Sequence, residues 1–397
     1  VPAVASLSPT YAARNGSAFT LTVNGQNFLQ TSVIRWDGAN RPTTFVSSNQ
    51  LTAAIPASDL AQIRTAQVTV ASPGPGGGES AALPFTVGIS NLVTVSLEVN
   101  DIIYDPTRSR VYGSVVSTDV DRGNSIARIN PATGAIEATV FVGSDPEKLA
   151  ISDDGQYLYV ALNGAAAVRR VDLATFTAGL QFTLGSDPFL GSYYVEDMEV
   201  LPGAAVSVAI SRRNVGFSPR HEGVAVYDNG VIRPTETPGH TGSNVIEFSE
   251  SAASLYGYNN ETTEFGFRRM SVAATGVTIT STQAGLISGF GVDIAFAGGR
   301  VYATTGVIVD PVAGTIVGSV SGTGFVRPDP ARGRVFFLTP GSQTIQSFST
   351  STFTPVESLT IPGVGGAAGS FIRWGTDGLA FRTSGQIVLV QTSLVTP

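Results

Sequence analysis

IIYDPTRSRVYGSVV (residues 102–116) and LAISDDGQYLYVALN (residues 149–163) are two copies of one phrase. Each is a short apolar strand, a turn built from Pro, Asp, Ser or Gly, and a second strand spelled V-Y or L-Y. Such turn residues reverse the chain between two β-prone runs. A similar phrase comes round seven times, with first strands around Ile103, Ala150, Glu199, Glu247, Ala295, Arg327 and Arg373. The spacings are 47, 49, 48, 48, 32 and 46 residues. A period of about 40–50 residues with roughly four strands per unit marks a β-propeller. The expected architecture is all-β: an Ig-like sandwich over 1–88, then a seven-bladed propeller over 89–397.

The two ends of the repeat region complete each other. After Arg373 only 24 residues remain, enough for three strands and one short of a blade. At the other end the strand 92–99 belongs to no repeat. It is predicted to supply the missing strand and close the propeller, because an open one would leave two unpaired sheet edges.

Composition agrees and excludes several classes. Of 397 residues, 45 are Gly and only 13% are charged, and no long stretch carries a 3.6-residue apolar period. The net charge of −7, with no run of Lys or Arg, argues against a nucleic-acid partner. With no cysteine, disulfides, thiolate metal sites and Cys nucleophiles are excluded. No apolar run is long enough to span a membrane. The chain opens at Val1 without a leader, which is read as export followed by signal-peptide removal, or as trimming. A secreted or cell-surface location is expected.

Within 1–88, seven short strands alternate with turns at Asn15-Gly16, Asn24-Gly25 and Asp37-Gly38, and with a Pro/Gly run at 72–78. That density of strands predicts an immunoglobulin-like sandwich. Its inner faces are assigned to Leu21, Val23, Phe28, Val33, Ile34, Trp36, Leu51, Val68, Val70 and Phe85. The segments SLSPT (6–10), FTLTVNGQNF (19–28), VIRWDG (33–38), QLTAAIP (50–56) and VTVASPGPGGGES (68–80), in that order, resemble the IPT/TIG family. The resemblance implies an Ig-like fold and carries over no binding residue. A spacer or docking module is expected.

The repeats themselves resemble the YVTN family of surface-protein repeats. Residues 144–178, SDPEKLAISDDGQYLYVALNGAAAVRRVDLATFTA, carry it best, with Pro before the first strand, Asp-Gly in the turn, L-Y-V in the second strand and V-D in the third. The likeness implies a bacterial exported or surface protein.

In a propeller the innermost strands line a central channel. One aligned column reads Asp101, Lys148, Asp197, Val245, Asp293, Phe325, Phe371; two positions on, another reads Ile103, Ala150, Glu199, Glu247, Ala295, Arg327, Arg373. Both face the same way, since side chains alternate along a strand. Glu199, Glu247, Arg327 and Arg373, with His240 just ahead of an inner strand, are the candidate catalytic residues. Asp101, Asp197, Asp293, Arg212, Arg213 and His221 are the candidate ligand-binding rim, the arginines as a basic lip suited to carboxylates. The competing reading is structural, with charges paired from blade to blade.

Asp119, Asp121 and Asn124 space their oxygens like part of a Ca²⁺ loop but lack its distal Glu. Ca²⁺ is the one cofactor they suggest, and a solvated loop is the competing reading. His221 and His240 would share a metal or act in acid–base work if they met. Hydrolase signatures G-x-S-x-G and H-E-x-x-H are missing. The expected function is a non-catalytic exported binding or structural protein. Its propeller rim would take a glycan or protein partner, and its Ig-like domain would act as spacer, docking module or self-association surface. The alternative is a propeller enzyme of lactonase, lyase or glycosidase type.

Overall fold

The computed structural model describes residues 1–396, and its regular secondary structure is almost entirely antiparallel β-strand. The N-terminal part is a sandwich of two sheets. One runs in the order Ala3–Ser8, Phe19–Gln26, Gln50–Ile55, Thr43–Ser47; the other is built on Leu83–Val87, Arg64–Ser72 and Val33–Trp36. Their inner faces meet in one apolar core around Leu21, Trp36, Leu51, Val68 and Phe85, and Phe85 packs 4.9 Å from the Trp36 ring. Val33 was assigned inward, but it is only half-buried because its neighbour Ile34 takes the core position. Adjacent residues of a strand cannot both face one side.

Residues after Gly88 form seven four-stranded sheets. Six use consecutive strands, within 99–141, 146–183, 194–232, 245–283, 294–319 and 325–360. The seventh takes Gly369–Trp374, Gly378–Thr383 and Gln386–Thr392 from the C-terminal end and Ile89–Val95 as its outer strand. In that pairing Leu92 lies opposite Val390 and Val95 opposite Ile387. The pairing strand therefore ends earlier than the expected 92–99. The Leu97 amide donates to the Val95 carbonyl at 2.8 Å, a tight turn that frees Val99 to open the next inner strand, Val99–Asp105.

The repeated V-Y phrase has a positional meaning. Its aromatic residue sits opposite the inner-strand column: Ile103 faces Tyr112, Ala150 faces Tyr159, Glu247 faces Tyr256, Ala295 faces Tyr302 and Arg327 faces Phe336. These aromatics are buried, and they fill the space between successive sheets. Seven apolar cores result, each between neighbouring sheets. The last joins Ile372, Trp374 and Leu389 of the seventh sheet to Ile102, Val111 and Ile129 of the first. The 32-residue spacing comes from the fifth sheet. Its first three strands have four residues each, and its first turn is only Gly298-Gly299, both at positive φ as a two-residue hairpin requires.

The sandwich is tied to the last two sheets. Thr392 Oγ1 donates to the Gly88 carbonyl at 2.7 Å, and Arg14 pairs with Glu357 at 3.0 Å. Tyr11 and Ile63 pack on the core between the sixth and seventh sheets. Among the described residues no helix is long and apolar enough to cross a membrane.

Candidate functional site

The first strands of the seven sheets stand side by side, each touching the next, and Val99–Asp105 also touches Gly369–Trp374. Between them lies a cavity of about 760 Å³. The chain enters each first strand from one rim, so Asp101, Lys148, Asp197 and Asp293 sit near that mouth. Glu199, Glu247, Arg327 and Arg373 lie deeper. All eight line the cavity. Two groups that the columns did not nominate also reach it, Glu147 and Arg382. Arg382 sits on a second strand, opposite Gly369, so a reading restricted to inner strands could not find it.

Most of these charges are engaged in joining one sheet to the next. Asp101 accepts from Ser370 Oγ at 2.6 Å, from the Leu149 amide at 3.1 Å and from the Ile102 amide at 2.9 Å. Asp197 accepts from the Ile246 amide at 2.9 Å and lies 3.6 Å from the Lys148 ammonium. Glu247 accepts from the Phe296 amide at 3.5 Å. Arg327 donates to the Phe371 carbonyl at 2.6 Å, and Arg373 pairs with Asp329 at 3.0 Å. The recurring arrangement is a carboxylate of one inner strand accepting an amide of the next. It uses the otherwise unpaired N–H groups that face the cavity, and such groups must be satisfied.

Lys148 is the only lysine of the chain, and it stands among Asp101, Asp197 and Asp293. Attraction from Asp197 first, and then from Asp293 and Asp101, raises its pKa and holds it charged. Its side chain is 43% exposed within the cavity, so it stands open to solvent rather than packed against its neighbours. The deeper carboxyls have less help. Among the described residues no group donates to the Glu199 carboxyl; burial and the Asp197 charge push its pKa up to about 8. Burial, and then the Glu199 charge, raise Glu247 well above the ordinary carboxylate range. Asp197 is raised to about 6 by burial, partly offset by Lys148. Both shifts favour the protonated form of these two carboxyls over the charged one, Glu199 most directly with its pKa pushed to about 8.

The remaining candidates lie elsewhere, and the structure corrects their reading. Arg212 was expected to project as part of a lip, but it is 3% exposed. It donates to the Glu222 carbonyl at 2.7 Å, pairs with Glu236 at 3.0 Å and lies over Tyr193. Arg213 pairs with Glu196 at 3.2 Å, and the same carboxylate holds Arg220 in a two-point contact at 2.6 and 2.9 Å. A guanidinium with its carboxylate supplied from within is not free to clamp another.

His221 and His240 meet through their main chains, the His240 amide donating to the His221 carbonyl at 2.7 Å, but their side chains part. His240 is exposed. His221 is 1% exposed, with Nε2 accepting from the Ser243 amide at 3.3 Å and Nδ1 facing Ser211 Oγ at 3.4 Å. Burial, with the Arg268 and Arg212 charges, lowers its pKa to about 3, so it is neutral. A β-carbon on Gly242 would lie 2.0 Å from the His221 ring. Gly242→Ala should therefore cost about 1–2 kcal/mol in urea unfolding, as overpacking does.

The 117–125 loop turns its oxygens on itself. Asp119 caps the Asp121 and Arg122 amides at 3.0 and 2.8 Å, and Asn124 accepts from Ser117 Oγ and the Asp145 amide. Among the described residues no group of three or more His, Asp or Glu converges as metal ligands.

Residues 2–87 match the IPT/TIG domain. No curated protein matches the chain. Among solved structures it is similar to hydrazine synthase of Kuenenia stuttgartiensis (13% identity, 76% of this chain and 97% of that one, TM-score 0.59). It is also similar to the β-propeller domain of Cps50 (Swd1) from Myceliophteria thermophila (14% identity, 77% and 99%, TM-score 0.58). At such identities the likeness is one of fold, a β-propeller.

Proposed function

We propose that this is an exported, non-catalytic binding or surface protein, with a propeller that presents its mouth to a protein or glycan partner and an Ig-like domain that spaces, docks or self-associates. In this reading the seven sheets are the blades of a closed propeller over 89–397, sealed by Ile89–Val95. Support for closure comes from the pairing of Ile89–Val95 with Gln386–Thr392 and from the core shared by the seventh and first sheets. The likeness of residues 144–178 to repeats of surface proteins favours a bacterial exported origin.

One observation carries the binding reading: the cavity's charges are spent on the protein itself. Asp101, Asp197, Glu247, Arg327 and Arg373 each hold a main-chain group or a counter-charge of the protein. Neither histidine lines the cavity. A nucleophile with an adjacent free base, the usual minimum for hydrolysis, is not assembled there. The experiment is a panel of lactones and glycosides with the full chain, run beside metal analysis of the purified protein. No turnover and no co-purifying metal are expected.

The enzymatic reading keeps one specific support. Glu199 and Glu247 line the cavity with pKa values raised by burial and then by a neighbouring charge, Asp197 acting on Glu199 and Glu199 on Glu247, the direction a general acid needs. Turnover that disappears in Glu247→Gln while folding is retained would establish that reading and overturn the first.

A further inference from the structure

Large apolar side chains gather on one rim of the propeller. Phe189 is 93% exposed, Phe290 65% and Phe217 53%. Phe189 tips a small hairpin between Thr177–Thr183 and Tyr194–Val200. Phe217 lies between Ser207–Arg213 and His221–Asp228, and Phe290 between Gly276–Gln283 and Ile294–Ala297. Strand direction places all three connections on the rim from which the inner strands start, the rim of the acidic mouth. Phe290 precedes Asp293 by three residues, a reach of about 10 Å at most. Exposed apolar groups collected around a polar opening mark an interaction surface.

These tips are held by their bases. Asp187 Oδ1 accepts from the Phe189 and Leu190 amides at 2.7 and 2.8 Å, which fixes the hairpin turn. Phe265 braces Phe290 edge-on with ring centroids 4.9 Å apart. The Phe217 loop is closed by the Asn214 amide on the Arg220 carbonyl at 2.8 Å and by the pair between Arg220 and Glu196. Little ordering is therefore left for a partner to impose.

The chemistry of the two zones selects the partner. Phenylalanine has no hydrogen-bonding tip, so it recognises apolar surface rather than hydroxyls. The mouth beneath sets Asp101, Glu147, Asp197 and Asp293 against Lys148, Arg382 and Arg213, the last 4.0 Å from Glu147, which still leaves an excess of negative charge. The geometry points to a docking surface for a basic peptide segment of a partner protein: its apolar side chains pack on Phe189, Phe217 and Phe290, and its Lys or Arg side chains enter the mouth at Glu147 and Asp293. This rests on the reading of the rim as a binding surface and names the partner's chemistry.

The test uses the full chain and three fluorescein-labelled hexapeptides, made of Leu-Lys, Ser-Lys and Leu-Glu repeats, followed by anisotropy. The Leu-Lys peptide should bind, the Ser-Lys peptide at least about tenfold more weakly and the Leu-Glu peptide not at all. The double variant Phe189→Ser, Phe290→Ser should weaken Leu-Lys binding at least about tenfold, and raised salt should weaken it further. Thermal unfolding of that variant should be unchanged, since both rings are largely in water. Leu-Glu binding as tight as Leu-Lys, or a double variant that binds unchanged, overturns the inference. A glycan array run in parallel separates the two layers. A glycan retained by the wild-type chain and lost by the double variant overturns the peptide partner and leaves the rim reading standing. Silence toward both peptides and glycans overturns the rim reading as well.

Discussion

Proline at both Val93 and Thr94 should destabilise the seven-sheet part by on the order of 5 kcal/mol and make its unfolding less cooperative. The two residues are consecutive in Ile89–Val95 and pair with Leu389 and Val388. Along a strand the amides alternate between the two sides, so one of the two prolines must remove a ladder bond wherever the register lies. The strand is also an anchor of cores. Ile89 is fully buried between the sixth and seventh sheets, and Val95 is 6% exposed against the first. Withdrawing two such side chains costs about 3–6 kcal/mol, comparable with the whole stability of many domains. The damage should spread, because it exposes the edge of Gln386–Thr392 and loosens the joint between last and first sheets. Differential scanning calorimetry should show the main transition lowered and broadened while the sandwich, with its own core, keeps a separate one. A single transition of wild-type sharpness and midpoint would contradict the closed propeller.

The second large effect is on pH dependence. A carboxyl whose pKa is raised on folding takes up a proton as the chain folds, so stability falls as pH climbs from its unfolded value to its folded one. For Glu199 that interval runs from 4.5 to about 8, with Glu247 shifted in the same direction. His221 acts oppositely. Its pKa falls from 6.5 to about 3 on folding, so the stability it allows is lost as pH drops below 6.5. The two trends cancel in part between pH 4.5 and 6.5. Above 6.5 the histidine has finished and the carboxyls act alone. At about 1.4 kcal/mol per pH unit for each fully desolvated group, and with water in the cavity reducing that, urea unfolding should lose about 2 kcal/mol between pH 6.5 and pH 8.5. Glu199→Gln should remove much of this slope and be more stable than wild type at pH 8.5. The glutamine is as polar as the protonated acid and carries no charge to desolvate. A wild-type profile flat across this range, or a glutamine variant with an undiminished slope, would contradict the assignment.

How far these residues were readable from the chain differs by type. The inner-strand columns were legible because a repeat of about 48 residues and an alternation of two residues together assign each position to a sheet and a face. Glu199, Glu247, Asp293, Arg327 and Arg373 reach the cavity for that reason. Lys148 stood in the same column, and its rarity was visible, but its place among carboxylates of three other strands was not. Arg212, Arg213 and His221 were misjudged because a loop sequence shows which charges it has and not which partners it finds. Their partners Glu196, Glu222, Glu236 and Ser243 lie in separate connections and neighbouring strands.

Periodicity and turn chemistry are local, and they sufficed for the all-β class, the IPT/TIG sandwich and the propeller fold. Protonation and pairing depend on distances across sheets far apart in the chain. Only the folded arrangement brought Asp101 to Ser370, set Asp197 beside Lys148 and left Glu199 without a donor. Coulomb and desolvation energies follow spatial separation and access to water, which no spacing along the chain records.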